Sequence, residues 1–356
     1  MLSLILFLQE GDTIKGKGEV YEVREETSKG KSETSETRDE AFKFLAGQAL
    51  LGCAAYPPAV SFFLWEVLNP KSQEQENVVT CVACITPLAC LGTSATLALT
   101  SPLKKPVAIS SFTGALDGML WSALIINTIY SNFPDPKIAA TLFLFGLAGG
   151  NGAGYLAGYG GGSEGAYVLK TISAVQLPWA YFQTLRIIYG DKRPSGSEYK
   201  LHLAAATTLS IGGGLGTFAL NVNDYDITAG DALFIGSNTL KGALILSAPI
   251  TTAYLFSQDT SYFPSGFYFD PVFGRLDGVA NLAGAFLGAY ISYRIVKKDD
   301  LSLLEGIVYS VVPAFAYWTA LAPTLVVPGY YRISPMFQVA FDVGTSILIY
   351  RLTKTF

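Results

Sequence analysis

Residues 204–222 read AAATTLSIGGGLGTFALNV, residues 223–231 read NDYDITAGD, and residues 232–256 read ALFIGSNTLKGALILSAPITTAYLF. In the first arm Ala204, Thr208, Gly212 and Gly216 recur every four residues, which places them on one helix face. Small side chains let a second backbone approach closely, and this is how helices associate in lipid. The second arm contains a single charge, Lys241, and is long enough to cross a bilayer. The stretch predicts a membrane-embedded helical hairpin.

Two alternatives to this hairpin stay open. One is a buried hairpin of a soluble protein, in which each glycine would cost about 1 kcal/mol relative to alanine. The other is a set of glycine-rich strands in an outer-membrane barrel. Barrel strands alternate apolar and polar residues over segments of ~10 residues, and ALILSAPITTAYLF at 243–256 does not alternate.

The composition of the chain agrees with a membrane protein. Of its 356 residues 50% are hydrophobic and only 15% are charged, with a net charge of −4. Soluble chains carry about 25% charged residues. Lysine and arginine form no basic stripe, so nucleic acid is not an expected partner.

Successive apolar segments continue the same pattern from residue 42 onward. Each approaches the ~20 residues that a spanning helix needs. They lie at 42–68, 78–101, 107–130, 137–160, 166–189, 201–222, 231–256, 275–296, 303–327 and 334–352. We therefore predict an all-α integral membrane domain over residues 42–356, with about ten transmembrane helices.

The residues before this domain are of two kinds. Residues 1–9 begin with the apolar run MLSLILFL, which lacks the positive start and cleavage site of a typical secretory signal. A short signal or anchor remains one interpretation of them. Residues 10–41 are charged and poor in large apolar side chains, so we expect a disordered polar tail.

The hairpin has imperfect copies along the chain. At an offset of about 124 residues, Leu91-Gly92-Thr93 aligns with Leu215-Gly216-Thr217 and Gly118 with Gly242. The repeats are predicted at 78–130, 137–189, 202–256 and 275–327, with a half repeat at 334–352. Each whole unit crosses the membrane twice, so successive units are expected to be parallel rather than inverted.

Glycines spaced by four mark the first arms of these repeats. The regular series in 137–160 argues for a helix-packing face, although a glycine-rich loop is the alternative. No GK[ST] follows it, so nucleotide binding is not predicted. The predicted helix-packing residues are Gly92, Gly146, Gly150, Gly154, Gly158, Gly212, Gly216, Gly284 and Gly288.

Three charged residues fall inside the predicted spans. Charges at such positions are costly and are usually paired or functional. Asp117 and Lys241 occupy the same position of two repeats. We predict that they face a shared interior and form a pair, either as a structural strut or as a gate or ion site. Asp342 lies inside the last span, where it forms a helix–helix hydrogen bond or lines a pathway.

The sequence gives little support to catalysis or to a cofactor. Cys53, Cys81, Cys84 and Cys90 include a CxxC motif, but no histidine or second CxxC accompanies it. Cysteine packed as a small apolar residue is the favoured interpretation over a metal or redox site. No catalytic motif is present, so we expect neither an enzyme, a metal site nor a cofactor.

Three stretches of the second arms resemble a repeat of uncharacterised bacterial envelope proteins built from glycine-zipper hairpins. These stretches are VAISSFTGALDGMLW at 107–121, EGAYVLKTISA at 164–174 and GDALFIGSNTLKGAL at 230–244. The chain departs from that repeat at two positions. Gln176 and Ala314 stand where the other copies have a glycine, Gly118 or Gly242. The resemblance implies a bacterial envelope protein and carries no activity. Separately, we expect the inner rather than the outer membrane.

Two classes of function follow from this sequence. The first is a structural or scaffold subunit of an envelope assembly, with the lipid bilayer and other membrane subunits as partners. The second is a channel or transporter for an ion or small solute, with Asp117, Lys241 or Asp342 in its pathway. A water-accessible cavity lined by one of these charges would favour the second.

Overall fold

The computed structural model describes residues 29–101, 103–129, 135–190, 196–224, 226–257, 271–320, 322–325, 327 and 330–355. The predicted signal or anchor at 1–9 and residues 10–28 of the predicted tail lie outside this part of the chain. Within it the only regular secondary structure is helical, which agrees with the predicted all-α class.

Eleven α-helices make up most of the described residues. In chain order they are α1 Lys29–Ala54, α2 Tyr56–Leu68, α3 Gln73–Thr100, α4 Val107–Ile129, α5 Pro136–Tyr159, α6 Glu164–Tyr189, α7 Gly196–Asn221, α8 Ala229–Ser257, α9 Pro271–Val296, α10 Leu303–Thr319 and α11 Ser334–Thr355. Two 3₁₀ turns, Ala322–Leu325 and Tyr330–Arg332, lie between α10 and α11. Residues 29–41, for which the sequence predicts disorder, form the start of α1, where Lys43 pairs with Asp39 and Glu40 one turn before it.

Side chains before and within the first turns explain where several helices begin. Ser302 and Glu305 form a reciprocal capping box at the start of α10. Thr228 and Asp231 do the same at α8, where each side chain accepts from the backbone N–H of the other. Asp231 Oδ1 also accepts from the N–H of Leu301 at 2.9 Å, which ties this helix start to the segment before α10.

Six helices are long and apolar enough to cross a membrane, which indicates a membrane protein. These candidate spans are Arg38–Leu68, Gln73–Thr100, Val107–Ile129, Gly196–Asn221, Ala229–Ser257 and Pro271–Val296. The predicted count of about ten is therefore not confirmed. Glycine and polar residues lower the hydropathy of α5 and α6, and α10, although apolar, has only 17 residues.

The chain divides into two compact units, which we describe separately. Unit 1 comprises Met1–Thr171 with Leu203–Thr207 and Leu215–Asn223. Unit 2 comprises Ile172–His202 with Thr208–Gly214 and Asp224–Phe356.

In unit 1 the closest helix pair is α4 with α5, and glycines meet along it. A Cβ on Gly150 would collide with the carbonyl oxygen of Gly114 and would lie 3.0 Å from the Cα of Gly118. A Cβ on Gly158 would lie 2.6 Å from the Cα of Val107, and one on Gly154 would collide with the carbonyl oxygen of Ser110. The two backbones therefore touch directly, and only glycine fits at these positions.

Unit 2 repeats this arrangement with α8 and α9. A Cβ on Gly242 would collide with the carbonyl oxygen of Gly284 and would lie 3.0 Å from the Cα of Gly288. A Cβ on Gly288 would in turn collide with the carbonyl oxygen of Asn238. Helices α10 and α11 pack on α8 as well.

The glycine contacts of the two units follow the same register. Gly118 contacts Gly146 in unit 1 as Gly242 contacts Gly284 in unit 2. In each case the second arm of one predicted repeat packs against the first arm of the next. The tightest packing thus joins neighbouring predicted hairpins, while the repeat boundaries themselves stay a prediction.

Three of the predicted packing glycines make no such contact. Around an added Cβ at Gly92, Gly212 or Gly216, no heavy atom of the described residues lies within 4 Å. Spacing by four places small residues on one face but does not say whether a helix lies against that face. Close packing by these three glycines remains a prediction.

Much of the apolar side-chain surface is exposed, and α3 is the clearest case. The buried residues of this helix are Val79, Ala83 and Ser94. Leu88 and Leu99 are 70% and 87% exposed. Such a surface is costly in water and is expected where lipid covers it.

Candidate functional site

Asp117 of α4 forms an ion pair with Lys170 of α6 in unit 1. Asp117 Oδ2 and Lys170 Nζ are 2.8 Å apart, and Asp117 is only 1% exposed. The ammonium group also lies 5.7 Å from the centre of the Tyr167 ring. The pair neutralises a charge that would be very costly to bury alone.

Lys241 of α8 has two hydrogen-bond acceptors and a nearby carboxylate in unit 2. Its Nζ donates to the carbonyl oxygen of Tyr309 at 2.9 Å and to Ser346 Oγ at 3.2 Å. Asp342 Oδ1 lies 3.8 Å from the same nitrogen, and Asp342 is 4% exposed. The last long helix, α11, is thereby connected to α8 through charge.

The predicted pairing of Asp117 with Lys241 is wrong. Each of these residues has another partner of opposite charge, Lys170 for Asp117 and Asp342 for Lys241. Each of the two charges directly precedes a glycine that contacts a neighbouring helix, Gly118 after Asp117 and Gly242 after Lys241. The repeat register could not identify the partners, because these come from helices whose packing the register does not specify.

A third buried pair joins α6 to α9 in unit 2. Arg186 Nη1 lies 2.5 Å from Asp277 Oδ2. Asn281 Nδ2 donates to the same carboxylate oxygen at 3.0 Å. Asp277 is 3% exposed, so its charge is satisfied within the protein rather than by solvent.

In unit 1, charged residues of α1 act on Glu164, the first residue of α6. Lys43 Nζ contacts Glu40 Oε1 at 2.8 Å and Asp39 Oδ2 at 3.0 Å. Burial raises the pKa of the Glu164 carboxyl above its usual value, while the positive charges of Lys43 and Lys105 oppose that shift.

Unit 1 also contains a cavity of about 420 Å³ between α1, α2, α3, α4 and α5. Its wall includes Gln48, Tyr56, Cys90, Ser111 and Asn151. None of the residues that line it is charged. The predicted pathway residues Asp117, Lys241 and Asp342 are not among them.

Four polar side chains form a closed hydrogen-bonded network at this cavity. The amides of Gln48 and Asn151 pair reciprocally, with Gln48 Nε2 to Asn151 Oδ1 at 3.0 Å and Asn151 Nδ2 to Gln48 Oε1 at 2.9 Å. Gln48 Nε2 also donates to Ser111 Oγ at 2.9 Å, and Ser111 Oγ donates to Asn151 Oδ1. Asn151 Nδ2 donates to the hydroxyl of Tyr56 at 2.9 Å. The network connects α1, α2, α4 and α5.

Sequence reasoning missed this network because it did not single out Gln48 or Asn151. Gln48 and Asn151 are the signal that could have revealed it. An amide within an apolar helix must find a partner, since it would otherwise be buried without hydrogen bonds. Asn151 also interrupts the glycine series in AGGNGAG at 148–154.

The four cysteines do not form a disulfide. All four are free, and Cys53, Cys81 and Cys84 are exposed on apolar helices. Among the described residues, no group of three or more His, Cys, Asp or Glu side chains could hold a metal ion.

Comparison with known protein families, curated proteins and solved structures finds no match to this chain.

Proposed function

We propose that this protein is a helical membrane protein with a structural role, a scaffold subunit of a bacterial envelope assembly. The observation that carries the proposal is the state of its buried charges. Asp117, Lys241 and Asp342 are each held in an ion pair, and none of them lines the described cavity of unit 1.

An ion pathway needs charges that can exchange partners with water or with the transported ion. Removing one partner of a buried pair costs about 3–5 kcal/mol. Asp117 and Lys170 are therefore better suited to hold α4 against α6 than to release an ion. The same argument applies to Lys241, whose ammonium group donates two hydrogen bonds and lies 3.8 Å from Asp342 Oδ1.

Helix packing supports a structural role as well. The α4–α5 and α8–α9 pairs touch backbone to backbone through glycines, which leaves little freedom for one helix to slide past the other. Gly92, Gly212 and Gly216 leave open space for a neighbouring helix. The bacterial envelope as its location rests on the resemblance of the repeats alone.

The test is to extract the protein from its native membrane in lipid nanodiscs and to measure the molecular mass and composition of the particles. A scaffold subunit is expected in particles with partner subunits at a fixed ratio, well above the 38.1 kDa of one chain. Proteoliposomes with the purified chain should then pass neither ions nor small solutes above the level of empty liposomes. A particle of single chains that supports flux would overturn the proposal.

The second candidate is a channel or transporter, and the cavity of unit 1 with its hydrogen-bonded side-chain network favours it. If it is correct, solute flux should fall when the network is altered by Asn151→Leu. The matched control is Gly149→Leu on the same helix, where an added Cβ meets open space outside the cavity wall.

A further inference from the structure

The cavity of unit 1 has the size and lining of a small-molecule site. Its volume of about 420 Å³ falls within the roughly 300–1,000 Å³ usual for such sites. The apolar and aromatic part of its wall includes Phe44, Leu97 and Tyr155. The polar part includes Gln48 and Asn151. Most of the lining surface is apolar, with polar groups concentrated at the network.

The absence of charge in this lining restricts what the cavity can hold. A charged ligand would lose its hydration without gaining a counter-ion from the residues that line the described cavity. An uncharged molecule does not meet this penalty. The lining therefore suits a neutral molecule with an apolar part that covers the aromatic wall.

One hydrogen-bond donor of the network, the hydroxyl of Tyr56, donates to no residue of the network. The two amide hydrogens of Gln48 go to Ser111 and Asn151, and those of Asn151 go to Gln48 and Tyr56. The hydroxyl hydrogen of Ser111 goes to Asn151. Tyr56 accepts from Asn151, but its own hydroxyl hydrogen has no acceptor among the described residues.

We propose that this cavity binds an uncharged amphipathic molecule whose polar end carries a carbonyl or ether oxygen. That oxygen accepts the hydroxyl hydrogen of Tyr56, and the apolar body lies against Phe44, Leu97 and Tyr155. Gln48, Ser111 and Asn151 are positioning residues, because their closed network holds the Tyr56 hydroxyl in place. The site is independent of the scaffold role and needs no charged residue.

The probes are benzophenone, an uncharged photoreactive ketone, and two flat competitors. Fluorenone and fluorene have the same ring system and differ in that only fluorenone carries a carbonyl oxygen. The full-length protein in lipid nanodiscs is irradiated with benzophenone, and labelling of peptides from α1, α2, α3 and α5 is quantified by mass spectrometry. Saturable labelling that fluorenone suppresses is the expected result.

The carbonyl oxygen should matter only when the Tyr56 hydroxyl is present. In the wild type, fluorenone should compete about fivefold better than fluorene, as expected for one hydrogen bond. In Tyr56→Phe this preference should disappear, with fluorene unchanged. The matched control is Tyr159→Phe, because Tyr159 does not line the cavity and its hydroxyl, 3.3 Å from that of Tyr155, has no part in the network.

A second pair of variants tests the cavity itself. Gly152→Leu places a side chain in the cavity, since Gly152 lines it and an added Cβ there meets open space. It should remove saturable labelling, whereas Gly149→Leu should leave it intact. Labelling that never saturates, that survives Gly152→Leu, or that shows the same fluorenone preference in Tyr56→Phe as in the wild type overturns the proposal.

Discussion

At the scale of single residues, three ion pairs with a buried carboxylate link different helices. Asp117 and Lys170, for example, link α4 to α6. The sequence singled out Asp117, Lys241 and Asp342 because they fall inside predicted spans. It did not predict their partners, because a partner is chosen by distances that only packing fixes.

The Asp117–Lys170 pair gives a direct prediction for stability. Lys170→Met should lower the free energy of unfolding by about 3 kcal/mol, since it leaves the Asp117 carboxylate buried without its cation. The double variant Asp117→Asn with Lys170→Met should recover most of this loss. Unfolding in a graded series of SDS in mixed micelles measures both.

A pair that contributes nothing would give a different result. In that case Lys170→Met would unfold like the wild type. Lys71→Met serves as the control for the loss of a lysine, because Lys71 is exposed in the turn before α3.

The amide network gives a second prediction at this scale. Gln48→Leu should destabilise the protein by about 1–3 kcal/mol, because the amide of Asn151 loses its reciprocal partner in an apolar surrounding. The double variant Gln48→Leu with Asn151→Leu should be more stable than the sum of the two single variants predicts. Additive effects in the same SDS titration would show that the two amides do not interact.

At the scale of helices, the sequence predicted the positions of several elements but not their packing partners. The arms predicted at 201–222 and 231–256 correspond to α7, Gly196–Asn221, and α8, Ala229–Ser257. Apolar length and the polar turn determine these boundaries locally. Whether a glycine face meets another helix depends on the rest of the chain. Gly150 contacts Gly114 and Gly118 of a neighbouring helix, whereas an added Cβ at Gly216 would meet open space.

The α4–α5 contact leads to a prediction with a close control. Gly150→Leu should destabilise the protein by about 3 kcal/mol, because the new side chain must push apart two touching backbones. Gly149→Leu, one residue earlier on the same helix, faces open space and should change the stability by less than about 0.5 kcal/mol. Equal stability of the two variants would contradict the described packing.

At the scale of the whole molecule, exposed apolar helices point to a lipid environment. Cys84 tests this, because it is exposed on α3, one of the six candidate spans. In a variant that keeps Cys84 alone, a membrane-impermeant maleimide should not react in sealed native vesicles of either orientation. After solubilisation and denaturation the thiol should react fully.

A cysteine in the exposed segment between α2 and α3 provides the control for that experiment. Lys71→Cys, in a chain without its other cysteines, should be labelled in vesicles of one of the two orientations. Rapid labelling of Cys84 in intact vesicles would place α3 in water and exclude it as a span.

The sequence by itself determined the helical class, the approximate helix boundaries and the apolar character of the chain. These depend on local properties, namely hydrophobic length, helix-start residues such as Asp231, and the spacing of glycines. The tertiary structure alone decided that Asp117 pairs with Lys170, and that Gln48, Ser111, Asn151 and Tyr56 meet at one cavity. The physical reason is that such contacts join residues of different helices. They depend on how the helices pack, which the local sequence around each residue does not specify.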